Sequence, residues 1–118
     1  MAASMALGAC AVITGTRLIA TPESRASEDY KKAVVAAGPE AIVCTDQITG
    51  NPANWLKSSI EGFKKRPEIG SAKWRDLWSA GKSVAQADAI TPAETVIRDM
   101  VAEYALVLRK MGQTICER

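Results

Sequence analysis

The sequence predicts an α/β chain in which helices outnumber strands. Two short, continuously apolar runs, at residues 10–14 and 41–44, are typical of strands buried on both faces, as in a parallel sheet. Five segments with helical caps or helical apolar spacing surround them. Two strands cannot complete a parallel α/β layer. They therefore either pair as a small ribbon against helices or require strands that this chain lacks.

The first helix and the first strand are predicted at the N-terminus. Residues 2–9 are rich in alanine, methionine and leucine, and they predict the last turns of a helix that stops at Gly8. The apolar run at residues 10–14 follows as a strand. The strand is predicted to end at Gly15 and Thr16, because these two residues interrupt the apolar run.

A helix and a second strand follow. Ser27 predicts the N-cap of a helix over residues 28–37, whose first turn carries two acidic residues that suit the helix dipole. Gly38 and Pro39 predict its end. The second predicted strand, at residues 41–44, comes directly after this stop.

Two helices are predicted in the middle of the chain. Asn51 is the expected cap of a helix over residues 52–63, which opens with a proline at its first position. A shorter helix is expected over residues 71–79, with Trp74 and Trp78 one turn apart.

The last segment predicts a long amphipathic helix. Thr91 and Glu94 form a capping-box pattern, with Pro92 at the first helical position. Apolar residues then recur at helical spacing on one face: Ala93, Val96, Ile97, Met100, Val101, Tyr104 and Leu108. This pattern indicates a packing role for the helix.

Composition indicates one small globular domain and argues against a nucleic-acid-binding protein. The chain has 118 residues, of which 47% are hydrophobic and 24% charged, as in ordinary folded proteins. The formal net charge of +2 gives no electrostatic reason to bind nucleic acid. The one basic triplet, at residues 64–66, is interpreted as a solvated helix end.

The sequence contains no histidine and three widely spaced cysteines, Cys10, Cys44 and Cys116. A zinc site with histidine ligands and a Ser-His or Cys-His nucleophile pair are therefore excluded. Cys10 and Cys44 are predicted to be buried, unreactive thiols. The small-residue-rich N-terminus has no preceding positive charge and is interrupted by Arg17, so it is interpreted as folded core, not as a signal peptide or a membrane span. These features favour a cytoplasmic protein.

The strand end at Ile13, Thr14, Gly15 and Thr16 is the candidate site. A buried strand that ends in Gly-Thr can turn consecutive backbone N–H groups toward an anion. Glycine permits close approach, and a threonine hydroxyl adds a donor. In (β/α)8 barrels, phosphate groups commonly bind at the loops after the last two strands. Taken alone, the same residues also fit an ordinary turn.

Colinear motifs give the chain a family resemblance. Residues 7–23, LGACAVITGTRLIATPE, resemble the L-G-A-D-G-V-Q-M-G-T-R-F-L-A-T-x-E segment at the last barrel strand of the nitronate monooxygenase (2-nitropropane dioxygenase-like) flavoproteins. Residues 45–53 are similar to the T-D-x-x-T-G-R-P-A turn of that family. Residues 77–82 are similar to its W-x-A-G-Q segment, and residues 92–94 to the Pro-Ala-x-E opening of its terminal helix. The resemblance covers nearly the whole chain.

The resemblance implies the C-terminal portion of a (β/α)8 (TIM) barrel. Residues 1–38 would contain the last barrel strand and its flanking helices, residues 39–90 a mainly helical cap or substrate subdomain, and residues 91–118 the terminal helix. The implied enzyme uses FMN and molecular oxygen to oxidise alkyl nitronates. The tryptophans of the cap are expected to pack in a core in preference to lining a substrate pocket.

The part of the implied FMN site in this chain is the phosphate-binding part, and some of its residues differ from the family pattern. The residues expected at the phosphate are Ile13, Thr14, Gly15 and Thr16. Ile13 and Thr14 replace the Gln and Met of the family, and Lys82 replaces its Gln, so the family's side-chain contacts at Ile13 and Lys82 are not carried over to this chain. The catalytic histidine and the first phosphate-binding glycines of the family are expected upstream of this sequence. The isolated chain is therefore expected to lack catalytic competence.

Two other functions compete with this one. A flavin-dependent enoyl reductase would share the barrel and the phosphate site. A non-catalytic interaction module would instead use the amphipathic helix from Thr91 as a docking face and would have no affinity for flavin.

Overall fold

The computed structural model describes residues 1–64 and 77–116. Within these residues the secondary structure is mixed α/β, with an antiparallel hairpin among short helices and one long helix. The elements in chain order are α1 (Ala2–Ala6), α2 (Thr16–Ile19), α3 (Glu28–Ala36), β1 (Ile42–Thr45), β2 (Ala53–Leu56), α4 (Lys57–Lys64) and α5 (Ala93–Cys116). Short 3-10 turns lie at Pro39–Ala41 and Lys82–Gln86.

The first and third helices follow their predicted caps. Helix α1 ends at Ala6, and Gly8 has a φ of +96°, the left-handed conformation that glycine adopts at helix ends. Ser27 caps α3, because its Oγ accepts a hydrogen bond of 3.3 Å from the backbone N–H of Tyr30. The 3-10 turn after Gly38 separates α3 from the hairpin. The cap residues therefore predicted the boundaries of these two helices to within three residues.

The prediction of a strand at residues 10–14 is wrong for the described structure. This segment is irregular, and the Ile13 side chain is fully exposed. A strand requires a neighbouring edge that accepts and donates backbone hydrogen bonds. The described part of the chain has one sheet, the β1–β2 hairpin, and it lies elsewhere. Within residues 1–64 and 77–116 the apolar run thus has no neighbouring strand to pair with.

The prediction of a helix from Pro52 is also wrong. Residues 53–56 form β2, which pairs antiparallel with β1, so that Val43 lies opposite Trp55 and Ile42 opposite Leu56. Gly50, with a φ of +79°, makes the turn, and its N–H donates to the backbone carbonyl of Asp46 at 2.7 Å. Cross-strand pairing of large apolar residues outweighs the local cap signal at Asn51. The helix begins only at Lys57.

The predicted helix over residues 71–79 lies mostly outside the described residues, as does Trp74. Its last residues are not helical. The backbone N–H of Leu56 donates to the carbonyl of Trp78 at 2.9 Å, and Ser79 forms an isolated antiparallel bridge with Trp55. Residues 77–80 therefore extend the edge of the hairpin.

The core lies between α2, α3, the hairpin and the 3-10 turn at Lys82–Gln86. Its buried members come from distant parts of the chain: Ala20, Val34, Ile42, Leu56, Ala80, Val84 and Ala87. Tyr30 and Trp78 close one side, with stacked rings whose centroids are 5.4 Å apart. Residues from 1–38 and 39–90 thus share one apolar cluster, and the proposed division between these ranges stays a prediction.

Two cysteine predictions are wrong. Cys10 and Cys44 are both exposed free thiols. Cys10 lies in the irregular segment at residues 10–14, where the predicted buried strand does not form. Cys44 lies on β1, two residues after the buried core residue Ile42 and therefore on the same face of the hairpin, but it is exposed.

Helix α5 is confirmed as a long amphipathic helix, but its start is capped differently from the prediction. Both carboxylate oxygens of Glu23 lie within hydrogen-bond distance of the backbone N–H of Ala93, at 3.1 and 3.2 Å. The Thr91 hydroxyl donates instead to the Ala89 carbonyl at 3.5 Å. A carboxylate 70 residues away therefore replaces the local capping box. None of the described helices is long and apolar enough to cross a membrane.

Glu23 should make the docking of α5 sensitive to acid. Hydrogen bonds from its own backbone N–H and from that of Ala93 lower the pKa of this carboxyl. A carboxyl with a lowered folded-state pKa stabilises the fold above its unfolded pKa, and the contribution is lost as the pH falls through the folded value. We expect Glu23→Gln to lower the Tm at pH 7 and to have a smaller effect at pH 3. An equal loss at both pH values would contradict this role.

The matched control is Glu40→Gln. It changes an exposed carboxylate at the N-terminal end of the 3-10 turn at Pro39–Ala41, away from α5. We expect it to shift the Tm by less than Glu23→Gln at pH 7, because exposed surface substitutions typically change stability little. Thermal unfolding followed by circular dichroism measures both variants.

Candidate functional site

The four residues singled out from the sequence line a single cleft of about 510 Å³. Ile13, Thr14, Gly15 and Thr16 form one wall, immediately before and at the start of α2. The opposite wall belongs to other elements: Met1 and Ser4 at α1, Ser83 and Gln86 from the 3-10 turn, and Val96, Asp99, Met100 and Glu103 from α5. The fold thus brings all four predicted residues to one concave surface.

Gly15 leaves its side of the cleft open. It precedes α2 with φ −116° and ψ −60°, and its carbonyl accepts the N–H of Leu18 at 3.0 Å. A Cβ built at this position would meet no atom within 4 Å. The protein itself therefore does not require glycine at this position. The space above Gly15 is free for a ligand to approach the backbone closely.

Thr16 links the cleft to a distant segment. Its Oγ1 accepts a hydrogen bond of 2.9 Å from the backbone N–H of Gly81. A hydroxyl has one donor and two acceptor positions, so the Thr16 proton is still available to donate. Gly81 thereby fixes the position of the Thr16 hydroxyl at the edge of the cleft.

Ile13 and Thr14 contribute less to a polar site. The Ile13 side chain is fully exposed and apolar, whereas Thr14 is half-buried at the cleft wall. Ile13 can offer a ligand only its backbone or an apolar contact. The departure from the family pattern at this position therefore removes a polar side chain from the site.

The cleft is not strongly cationic. Arg17 lines it, but its guanidinium lies 3.6 Å from the Asp88 carboxylate and donates to the Ala89 carbonyl at 3.4 Å. Arg17 is therefore engaged in an ion pair and a backbone contact and is not a free cation in the cleft. Asp99 and Glu103 add negative charge to the same cleft. Directed N–H and O–H donors, and not net charge, would have to hold an anion here.

A second, more open cleft of about 440 Å³ shares two of these residues. Gly15 and Thr16 line it together with Ile19, Ala53, Asn54 and the segment at residues 79–81. Because Thr16 lies between the two clefts, a ligand group bound at its hydroxyl could extend toward either side.

Sequence reasoning missed how residues 79–81 are held. The Tyr30 hydroxyl donates to the Ser79 carbonyl, and the Tyr30 ring stacks on Trp78. Burial raises the pKa of Tyr30, so this hydroxyl keeps its proton. The contact orders the segment that reaches Thr16 through Gly81. The family motif at residues 77–82 was the only sequence feature that marked this segment. No pattern near Tyr30 or Gly81 predicts that Tyr30 holds the segment or that Gly81 contacts Thr16.

The tryptophan prediction is confirmed where the structure describes it. Trp55 is buried, and Trp78 is half-buried against Tyr30, so both contribute to packing. Among the residues that the structure describes, His, Cys, Asp and Glu form no cluster of three or more that could hold a metal ion.

Comparisons with known proteins agree with the motifs. The profile of the family described as nitronate monooxygenase matches residues 1–103. A probable nitronate monooxygenase of Staphylococcus saprophyticus subsp. saprophyticus is 31% identical over an alignment of 101 residues that covers 67% of this chain and 28% of that protein. FabK from Thermotoga maritima matches with a TM-score of 0.75 and 28% identity, and a point mutant of it with 0.73 and 30%. Each match covers 96% of this chain, and 42% and 40% of the two FabK chains respectively.

Proposed function

Because this chain belongs to the nitronate monooxygenase family, we propose that it carries the phosphate end of an FMN site in an oxidoreductase that oxidises alkyl nitronates with molecular oxygen. Ile13, Thr14, Gly15 and Thr16 are the proposed phosphate-contacting residues. The chain spans less than half the length of the relatives that it matches. The activity, the substrate and the oxygen requirement are therefore proposals for the whole enzyme.

One observation carries the proposal. The four residues lie on one cleft wall, and the backbone at Gly15 is open although nothing in the protein itself requires a glycine there. A phosphate needs N–H and O–H donors at close range, and a Cβ at Gly15 would stand between them and the ligand. The Thr16 proton, left available by the bond from Gly81, supplies a side-chain donor.

The donor set fits a phosphate monoester, and the remainder of the cofactor would extend from it. When bound, FMN supplies the redox chemistry, and the protein positions and tunes the ring. The chain's own residues hold the phosphate end: the backbone near Gly15 approaches it, and Thr16 donates to it. Asp99 and Glu103 line the same cleft and repel an anion, so the directed donors have to outweigh this repulsion.

We also propose that residues 10–14 form a barrel strand when neighbouring strands flank them. Their continuous apolar pattern and the exposed Ile13 side chain both suit an element buried on two faces. On its own the 118-residue chain would not turn over a nitronate. Oxygen consumption with an alkyl nitronate and added FMN measures this. A rate comparable to that of a full-length relative would contradict it.

Gly15→Ala tests the phosphate site. We expect the wild-type chain to bind FMN weakly, with a Kd of roughly 0.1–1 mM, which corresponds to about 4–5.5 kcal/mol. The alanine should weaken FMN binding by about tenfold through a clash with the phosphate, and should leave the Tm unchanged because its Cβ meets no protein atom. A titration that follows flavin fluorescence measures the Kd.

Gly62→Ala is the matched control, because a Cβ at this α4 position also meets nothing within 4 Å and it lies outside both clefts. It should leave the Kd unchanged. Flavin fluorescence that does not change at saturating protein would refute FMN binding by this chain and would favour the interaction-module alternative. Equal affinity in wild type and Gly15→Ala would place the flavin elsewhere.

The second candidate is a flavin-dependent enoyl reductase. It is favoured by the match to FabK, which covers nearly the whole chain. Both candidates need the same phosphate contacts, so Gly15→Ala does not separate them. Full-length protein loaded with FMN does: oxygen consumption with a nitronate supports the first, and reduction of an enoyl thioester supports the second. A cytoplasmic location and the absence of nucleic-acid binding stay predictions.

A further inference from the structure

Residues 78–81 connect the hairpin to the candidate phosphate site, and both ends of this segment are anchored. At its start, the carbonyl of Trp78 accepts the N–H of Leu56 at 2.9 Å, which ties the segment to the hairpin. At its end, the N–H of Gly81 donates to Oγ1 of Thr16 at 2.9 Å. The position of the Thr16 hydroxyl therefore depends on how this segment lies.

Tyr30 holds the middle of the segment from α3. Its ring stacks on Trp78, with centroids 5.4 Å apart and an angle of 11° between the planes, and its hydroxyl donates to the Ser79 carbonyl. Burial raises the pKa of Tyr30, so the hydroxyl stays a donor. One side chain thus holds two successive residues, the second of which lies two positions before Gly81.

The direction of the bond between Gly81 and Thr16 decides what Thr16 can offer a ligand. A hydroxyl oxygen that accepts from the Gly81 N–H has to point its own proton elsewhere. Gly15, next to Thr16 at the cleft wall, leaves open space for a ligand. The bond therefore sets the Thr16 hydroxyl as a donor, which suits a group that only accepts, such as an ionised phosphate monoester.

We propose that Tyr30 is a positioning residue for the phosphate site. It holds residues 78–81 in place, so that the bond from Gly81 directs the Thr16 proton toward the phosphate. Tyr30 lines neither of the two clefts that Thr16 lines, so it acts without touching the ligand. The inference rests on the proposed function, because the ligand is the FMN phosphate.

Amide hydrogen exchange in the free chain, followed by NMR, tests the positioning without a ligand. Tyr30→Phe keeps the ring and removes the bond to Ser79, so exchange of the Gly81 N–H should become about fivefold faster or more. The reference is the Thr91 N–H, which donates to the Ala20 carbonyl at 3.1 Å. Its exchange should stay within about twofold of the wild-type rate, because the opening is local to the segment.

The matched control is Tyr104→Phe. The chain has two tyrosines, and Tyr104 lies on α5, where it lines a cleft with α1 away from residues 78–81. This variant should change neither exchange rate. Unchanged exchange of Gly81 in Tyr30→Phe overturns the proposal. Equal acceleration at Gly81 and Thr91 also overturns it, because Tyr30 would then stabilise the fold as a whole.

A double-mutant cycle on FMN affinity tests whether Tyr30 acts through Thr16. Phosphorus NMR with millimolar FMN measures the Kd. Tyr30→Phe alone should raise the Kd by about threefold to tenfold. In a Thr16→Val background it should change the Kd by less than about twofold, because the hydroxyl that it positions is then missing. Equal factors in the two backgrounds would overturn the proposal.

The two assays separate a failure of this inference from a failure of the proposed function. If the wild-type chain binds no FMN while Gly81 exchange responds to Tyr30→Phe, the proposed function is refuted. The Tyr30 contact then serves the fold alone, which overturns this inference as well. FMN binding that Tyr30→Phe does not weaken would overturn this inference and leave the proposed function intact.

Discussion

Leu56→Ala is expected to lower the free energy of unfolding by about 2–5 kcal/mol. Leu56 is 1% exposed at the end of β2 and lies in the cluster that joins the hairpin to α3 and the 3-10 turn. Truncation loses the transfer energy of the buried methyl groups and leaves a cavity that the backbone cannot close. A typical domain is stable by only about 5–15 kcal/mol, so this variant is expected to lose a large part of its stability.

Leu7→Ala is the control for this substitution. Leu7 is 89% exposed after α1, and its truncation should change stability by less than about 0.5 kcal/mol. Urea denaturation of both variants gives the comparison, with the slope against urea checked for a constant denatured state. A loss below about 1 kcal/mol for Leu56→Ala would mean that the cluster around it is not the core.

Trp55 should give a large effect when truncated and a small one when its ring is conserved. Trp55 is 3% exposed, and its indole N–H is buried without a hydrogen-bond partner. Trp55→Ala should cost about 3–5 kcal/mol through the lost packing. In Trp55→Phe the loss of ring volume is offset by removal of the unsatisfied donor, which itself costs about 1–3 kcal/mol.

The contrast between the two Trp55 variants is the test, and urea unfolding measures it. Trp55→Phe should lie within about 1 kcal/mol of wild type, because its two effects oppose each other. If both variants lose the same stability, the indole itself makes a contact that a phenyl ring cannot replace, and the packing role assigned to Trp55 is wrong.

Local signals predicted the structure where local chemistry decides it. The cap at Ser27 and the stop at Gly8 depend on residues within a few positions of one another, and the apolar spacing of residues 93–108 predicted α5. Predictions failed where partners are distant in sequence. Asn51 predicted a helix cap, but residues 53–56 form a strand because they pair with β1. Glu23 caps α5 from 70 residues away, which no local pattern reveals.

The candidate site shows the same division. The residue types at Gly15 and Thr16 predicted backbone and hydroxyl donors. The cleft that contains them could not be predicted, because its other walls come from segments distant in sequence. The strand expected before them did not form, because strand formation depends on neighbouring strands and not on apolar composition alone. The hydrogen bond from Gly81 to Thr16 joins the motif at residues 7–23 to the motif at residues 77–82. The sequence gives the order of these motifs along the chain but does not reveal that they are in contact.

Phosphorus NMR of FMN titrated with the chain tests the central claim most directly, because it observes the group that Gly15 and Thr16 are proposed to hold. We predict that the phosphate resonance shifts and broadens with wild-type protein. The change should be much smaller with Gly15→Ala, and riboflavin, which lacks the phosphate, should not bind. A phosphate resonance that stays unchanged while the flavin ring fluorescence responds, or equal binding of riboflavin and FMN, would contradict a phosphate site at residues 13–16.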